Sequence, residues 1–225
     1  MNIWILFGAF ALLSYLISNR LESKFKKYSK IPMNYGMTGK DVAEKMLHDN
    51  DIYDVKVVSV QGTLTDHYNP ANKTINLSEG VYYGNSVAAA AVAAHETGHA
   101  VQHATAYSWL QMRSSLVPIV SFASHWVQWV LLAGILLIGI FPNLLLIGIC
   151  LFAMTTLFSI ITLPVEVNAS KRALVWLNTH NITSPNTQGY AEDALRWAAY
   201  TYFVAALTSL ATLVYYIFIY LGRRD

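Results

Sequence analysis

His95 and His99 stand four residues apart, and a carboxylate, Glu96, directly follows the first. On an α-helix four residues advance about 400° and about 6 Å, so both imidazoles share one face. Nitrogens at that spacing reach one Zn²⁺ at about 2.0–2.1 Å. Glu96 projects about 100° away from His95. From there it reaches a water polarised by the metal without being a ligand itself. This is the H-E-x-x-H pattern of zinc hydrolases, with Glu96 as general base.

Two histidines leave a catalytic zinc short of one protein ligand and one open position. Glu166 is the obvious supplier. It is one of only six glutamates, and it leaves the end of an apolar run in Leu163-Pro164-Val165-Glu166. The bland alternative is a surface carboxylate paired with Lys171 or Arg172. His103 extends the His95-His99 stripe by another turn, too far for one metal to contact all three rings with good geometry. It reads as a packing histidine or a hydrogen-bond partner, and Gln102 likewise suits a bond to a ligand ring.

The element that must carry these residues is a helix. Asn85 and Ser86 are N-cap candidates, and the run Val87 to Ala94 is mostly alanine, the best helix former. Gly98 weakens a helix interior, so its place between the two histidines predicts a neighbour too close for a Cβ. Upstream, Thr38 caps a helix from about Lys40 to His48. Val55–Val60 reads as a strand. Thr63–Tyr68 and Thr74–Leu77 read as a hairpin around Asn69-Pro70-Ala71-Asn72-Lys73. A strand edge beside the histidine helix suits pairing with an extended peptide.

The chain has 225 residues, 55% hydrophobic and only 12% charged, where a soluble globule carries about 25% charged residues. Its fourteen Tyr and six Trp suit aromatic belts at membrane interfaces. No basic cluster is built for nucleic acid. The single Cys150 excludes an intrachain disulfide and argues against cysteine ligation of a metal.

These features predict a mainly α-helical integral membrane protein, with about four transmembrane helices and a small α+β zincin-like cytosolic domain. Residues 1–19 form an uncleaved first span. Residues 20–115 form the cytosolic region with the histidine helix. Residues 116–163 hold spans two and three, turning at Phe141-Pro142-Asn143. Residues 164–197 form the cytosolic segment with the third ligand, and 198–225 the fourth span and C-terminus. Pro164 either kinks or starts the helix carrying Glu166. Arg20 to Lys30, interleaved with Leu21, Phe25 and Tyr28, reads as a basic amphipathic helix at an anionic surface, or as a solvated tether. All fifteen Lys and Arg except Arg223 and Arg224 fall on the site-bearing side, which the positive-inside rule puts in the cytosol.

Three stretches carry a resemblance: His95-Glu96-Thr97-Gly98-His99-Ala100-Val101-Gln102; Leu163-Pro164-Val165-Glu166 with Ala169-Ser170; and Ala198-Ala199-Tyr200-Thr201-Tyr202. With the four spans, the chain resembles the YugP-like neutral zinc metallopeptidases of bacterial membranes over nearly its whole length. The resemblance implies a gluzincin-type peptidase in the bacterial cell membrane. One zinc per chain would be held by His95, His99 and Glu166, with Glu96 as base. The chain is more distantly similar to the heat-shock membrane proteases of the HtpX type. Those carry an Asp four residues after the ligand Glu, where Ser170 stands here, and Asn168 is a candidate substitute.

The expected reaction is hydrolysis of peptide bonds in membrane-associated proteins or peptides. His180, Tyr190, Tyr200 and Tyr202 are all candidates to stabilise the oxyanion. One rival is a site-2-type intramembrane protease, which would take an Asp ligand from a D-G segment; none of the seven Asp here precedes Gly. Another is a non-enzymatic scaffold or assembly factor with a structural zinc, which would not need Glu96. The residues set neither a protein partner nor an oligomeric state.

Overall fold

A computed structural model describes residues 3–33 and 36–222; Arg223 and Arg224 lie outside them. Helix α1 (Ile3–Tyr28) joins the expected first span and the basic segment into one rod. Helix α2 (Gly39–Asp49) starts where Thr38 and Asp41 cap it reciprocally. Strands β1 (Lys56–Val60), β2 (His67–Asn69) and β3 (Thr74–Ser78) follow, then a short helix, α3 (Glu79–Tyr82). Helix α4 (Val87–Ala104) carries the histidine pair, and α5 (Ser108–Leu136), α6 (Pro142–Thr179) and α7 (Pro185–Gly222) complete the chain.

The sheet order is β1-β3-β2, with β1 parallel and β2 antiparallel to β3. The β2–β3 hairpin is as expected, but its first strand is only His67–Asn69. Asp66 is drawn instead to Ser78, whose backbone N–H and hydroxyl it accepts at 2.7 and 3.0 Å. That bond takes the preceding residues out of the ladder and leaves β2 as a short edge beside α4.

Helix α4 runs through the middle of the main core. Its alanines share one buried cluster with Val42, Met46 and Leu47 of α2, Ile75 and Leu77 of β3, and Leu177 of α6. Ser86 caps it by accepting the Ala89 N–H at 3.2 Å. Small side chains allow this crowding, because each neighbour can approach the α4 backbone. One such approach is at Gly98, where a Cβ would stand 2.7 Å from the carbonyl oxygen of Ala169 on α6.

Four helices among the described residues are long and apolar enough to cross a membrane: residues Ile5–Tyr28 of α1, and α5, α6 and α7. Helix α4, which carries the histidines, is not among them. Helix α6 packs between α5 and α7, with Leu131, Leu145 and Ile149 at the shared contact. The expected boundary at residues 163/164 falls inside α6, which continues through Pro164. A proline there removes one backbone donor, yet the helix runs on from Pro142 to Thr179. Helix α7 likewise begins at Pro185, before the expected start of the last helix. The segment before residue 30 is no free tether: Tyr28 is buried and donates to Asp193 of α7, which also pairs with Lys24 at 2.8 Å.

Candidate metal centre

Helix α4 brings His95 and His99 together by its own pitch; the rings stand edge to face at 83°, with centroids 4.9 Å apart. Close contact of α4 with α6 at Gly98 sets Glu166 against them. Glu166 Oε2 lies 3.2 Å from His95 Nε2 and 3.5 Å from His99 Nε2. One donor atom from each residue lies within 4.8 Å of the others. His99 and Glu166 are buried, and the His95 side chain is 12% exposed.

The far side of each ring is also engaged. His99 Nδ1 lies 3.1 Å from Gln102 Oε1. The Gln102 amide donates to the Val165 carbonyl at 2.8 Å and to Asn168 Oδ1 at 3.0 Å. Those two donations fix the amide's direction, so its oxygen faces His99 and Nδ1 is the protonated nitrogen. The Nε2 lone pair then points at Glu166. His95 Nδ1 is 3.1 Å from Ser170 Oγ. Ser170, on α6, thus holds a ligand ring, whereas Asn168 acts one step back, through Gln102.

This donor set fits zinc. Two imidazole nitrogens and one carboxylate oxygen converge, each oriented from behind. Burial disfavours a His99 imidazolium, yet the Glu166 carboxylate outweighs it and holds the His99 pKa above the ordinary value. The gap therefore attracts positive charge, which a metal ion supplies without a buried proton.

Glu96 stands outside the three-residue cluster. It is 9% exposed, and its Oε2 accepts the Tyr68 N–H of β2 at 3.0 Å. Tyr68 pairs across to Ile75 of β3, so the open edge of β2 faces the carboxylate. His103 also stays out of the cluster; its Nδ1 shares a 2.8 Å hydrogen bond with the Tyr68 hydroxyl and steadies that strand. A cavity of about 330 Å³ joins Glu96, His99 and Glu166 to Tyr68 on one side and to Arg113 and Tyr202 on the other.

Of the four oxyanion candidates, Tyr202 alone lines this cavity. His180 stacks on Trp176 and faces Asp49, Tyr190 packs on Tyr28, and Tyr200 on Trp197. Arg113 was not singled out from the sequence. At the start of an apolar helix it reads as one more positive-inside charge, and only the fold turns it toward Glu166.

The family model described as "Putative neutral zinc metallopeptidase" matches residues 3–221. The chain is similar to a "Putative membrane protease YugP" of Bacillus subtilis (strain 168), 43% identical over 213 residues that cover 95% of this chain and 94% of that one. No solved structure matches. A match over almost the whole length, which takes in the residues of the donor set, shows that the chain belongs to this zinc metallopeptidase family.

Proposed function

We propose that this protein is a multi-pass membrane zinc endopeptidase, with its site on the cytosolic side, that cleaves membrane-associated proteins or peptides. The observation that carries this reading is the Glu96 carboxylate. It stands beside the His95, His99 and Glu166 donor set but outside it, facing the same cavity. His95, His99 and Glu166 would hold one zinc per chain. Bound zinc supplies Lewis acidity, which polarises the scissile carbonyl and makes water acidic enough to be deprotonated near neutral pH. Glu96 takes the water proton and passes it to the leaving amine. The Tyr68 N–H holds the Glu96 carboxylate in place, and the edge of β2 lays an extended substrate across the cavity.

The substrate class follows from the walls. Leu110, Val117 and Tyr202 come from helices apolar enough to cross a membrane, while His67 comes from β2 and Pro70 from the turn after it. A chain segment emerging from the bilayer meets both.

The test is Glu96→Gln, which keeps size and hydrogen bonding but cannot accept the proton. The purified variant should retain zinc and its fold and lose cleavage by roughly 10²–10⁴-fold. Parent-level cleavage by Glu96→Gln would sink the hydrolase mechanism even with zinc present. Loss of the metal would make Glu96 structural and favour a scaffold.

A further inference from the structure

Glu96 of α4 is held by the Tyr68 N–H of β2, and the same cavity is lined by Arg113 from α5 and Tyr202 from α7. Glu166 turns Oε2 to the two imidazoles and Oε1 to Arg113, whose nearest guanidinium nitrogen is 3.9 Å away. That separation is too long for a hydrogen bond. Among the described residues Arg113 makes no hydrogen bond, and its Nε is buried without an acceptor. Its other contact is the face of the Phe158 ring, 5.8 Å from the guanidinium. Arginine cannot shed its proton inside a protein, so this is a permanent set of donors awaiting an acceptor. Tyr202 lines the same cavity as that carboxylate.

We propose that Arg113 and Tyr202 are catalytic residues that hold the scissile carbonyl oxygen as it becomes an oxyanion. The proposal rests on the hydrolase reading and assigns the half of the chemistry that Glu96 leaves open. Water attacks the carbonyl carbon, the new C–O bond forms, and the displaced π pair moves onto the carbonyl oxygen. The water proton goes to Glu96, while the oxyanion accepts hydrogen bonds from Arg113 and Tyr202. When the C–N bond breaks, the pair returns to the carbonyl and Glu96 delivers the proton to the amine. Among the described residues Glu96 is bonded to the Tyr68 N–H and forms no ion pair with Arg113.

The test uses the full-length, zinc-loaded protein in lipid nanodiscs, with Arg113→Lys, Arg113→Met and Tyr202→Phe. The probes are a lipidated, internally quenched peptide that the parent cleaves and a phosphinate analogue of it. The analogue mimics the tetrahedral species, and its affinity is read by calorimetry. Each variant should keep one zinc. Arg113→Met and Tyr202→Phe should each lose about 10²–10³ in kcat, with KM within about threefold of the parent. Phosphinate affinity should fall with kcat, while the uncleaved peptide binds equally well in a Glu96→Gln background. Arg113→Lys, retaining charge but not the planar fork, should fall between. Loss of zinc in both Arg113 variants would make Arg113 a brace for Glu166 and overturn the assignment. A raised KM at parental kcat would reduce the pair to substrate grip and overturn it too. A parent that cleaves nothing and binds no phosphinate fails the hydrolase reading, and the donor pair with it. A parent that cleaves while all variants match it fails the donor pair alone.

Discussion

Each imidazole owes the direction of its inner nitrogen to a bond behind the ring, and the partners in these two bonds are held differently. Gln102 is itself held twice, by Val165 and Asn168, so His99 has little freedom to turn. Removing such a partner typically costs 10–100-fold in metal affinity. Gln102→Ala should therefore bind zinc about 10–100-fold more weakly in chelator competition; parental affinity would show that His99 needs no support. The histidine pair and Gln102 were legible in the sequence because one helix turn relates them. Ser170 was marked by its place four residues after Glu166, but the ring it serves did not show, since His95 is 75 residues away and only α4–α6 packing joins them. Asp66, also on the cavity, gives a pH signature. Burial pushes its carboxyl pKa up, the Ser78 donors pull it down, and nearby Glu96 adds to the rise. With the folded value above the unfolded one, its contribution to stability is full below the unfolded pKa of about 3.9. That contribution is lost as pH rises through the folded value. Ionised Asp66 is thus a cost at neutral pH. Asp66→Asn keeps an acceptor for Ser78 and sheds the charge, so its Tm should exceed the parent's at pH 7 and converge with it near pH 4. A lower Tm at pH 7 would mean that the charged bonds to Ser78 outweigh burial.

Between elements, the contact that makes the site is backbone against backbone. Gly98 lets α4 lie on α6 at Ala169, three residues from Glu166 in sequence and nearly one turn away. A methyl there would stand 2.7 Å from the Ala169 carbonyl oxygen and 3.2 Å from its Cα, and backbone cannot swing aside as a rotamer does. Gly98→Ala should destabilise the fold by about 1–3 kcal/mol despite its better helix propensity. It should also lower bound zinc, by moving Glu166 off the two imidazoles. Gly189→Ala on α7, where the new Cβ meets open space, is the control and should be neutral or slightly stabilising. Equal Tm and zinc content in both variants would remove the close contact from the account. Glycine between two ligands announced this packing in the sequence. The extent of α6 and β2 did not show. Pro164 reads locally as a break, and Thr63–Asp66 as strand, but α6 runs on through the one and Ser78 captures Asp66 from the other.

At the scale of the molecule, α6 and α7 are each 38 residues long, about 57 Å at 1.5 Å per residue. A hydrocarbon core is about 30 Å thick, so each rod extends well beyond it at one end or both. The polar ends are identifiable. Helix α6 carries Glu166, Lys171 and Arg172 past its apolar run, and α7 carries Asp193 and Arg196 before its own. The tie from Lys24 and Tyr28 to Asp193 brings the basic end of α1 to that same layer. Sheet, α2 and α4 pack there as well, which gathers the cationic residues around the site. Positive charge retained on one face predicts that this face is cytosolic. Tyr53, 68% exposed beyond α2, reports the side. With Cys150→Ala removing the native thiol, Tyr53→Cys should resist an impermeant maleimide in intact cells and label fully once the membrane is opened. Full labelling in intact cells would put the site outside and reverse the direction of all four helices. The zinc chemistry would survive that result, but the substrates would then have to reach the site from the outer surface.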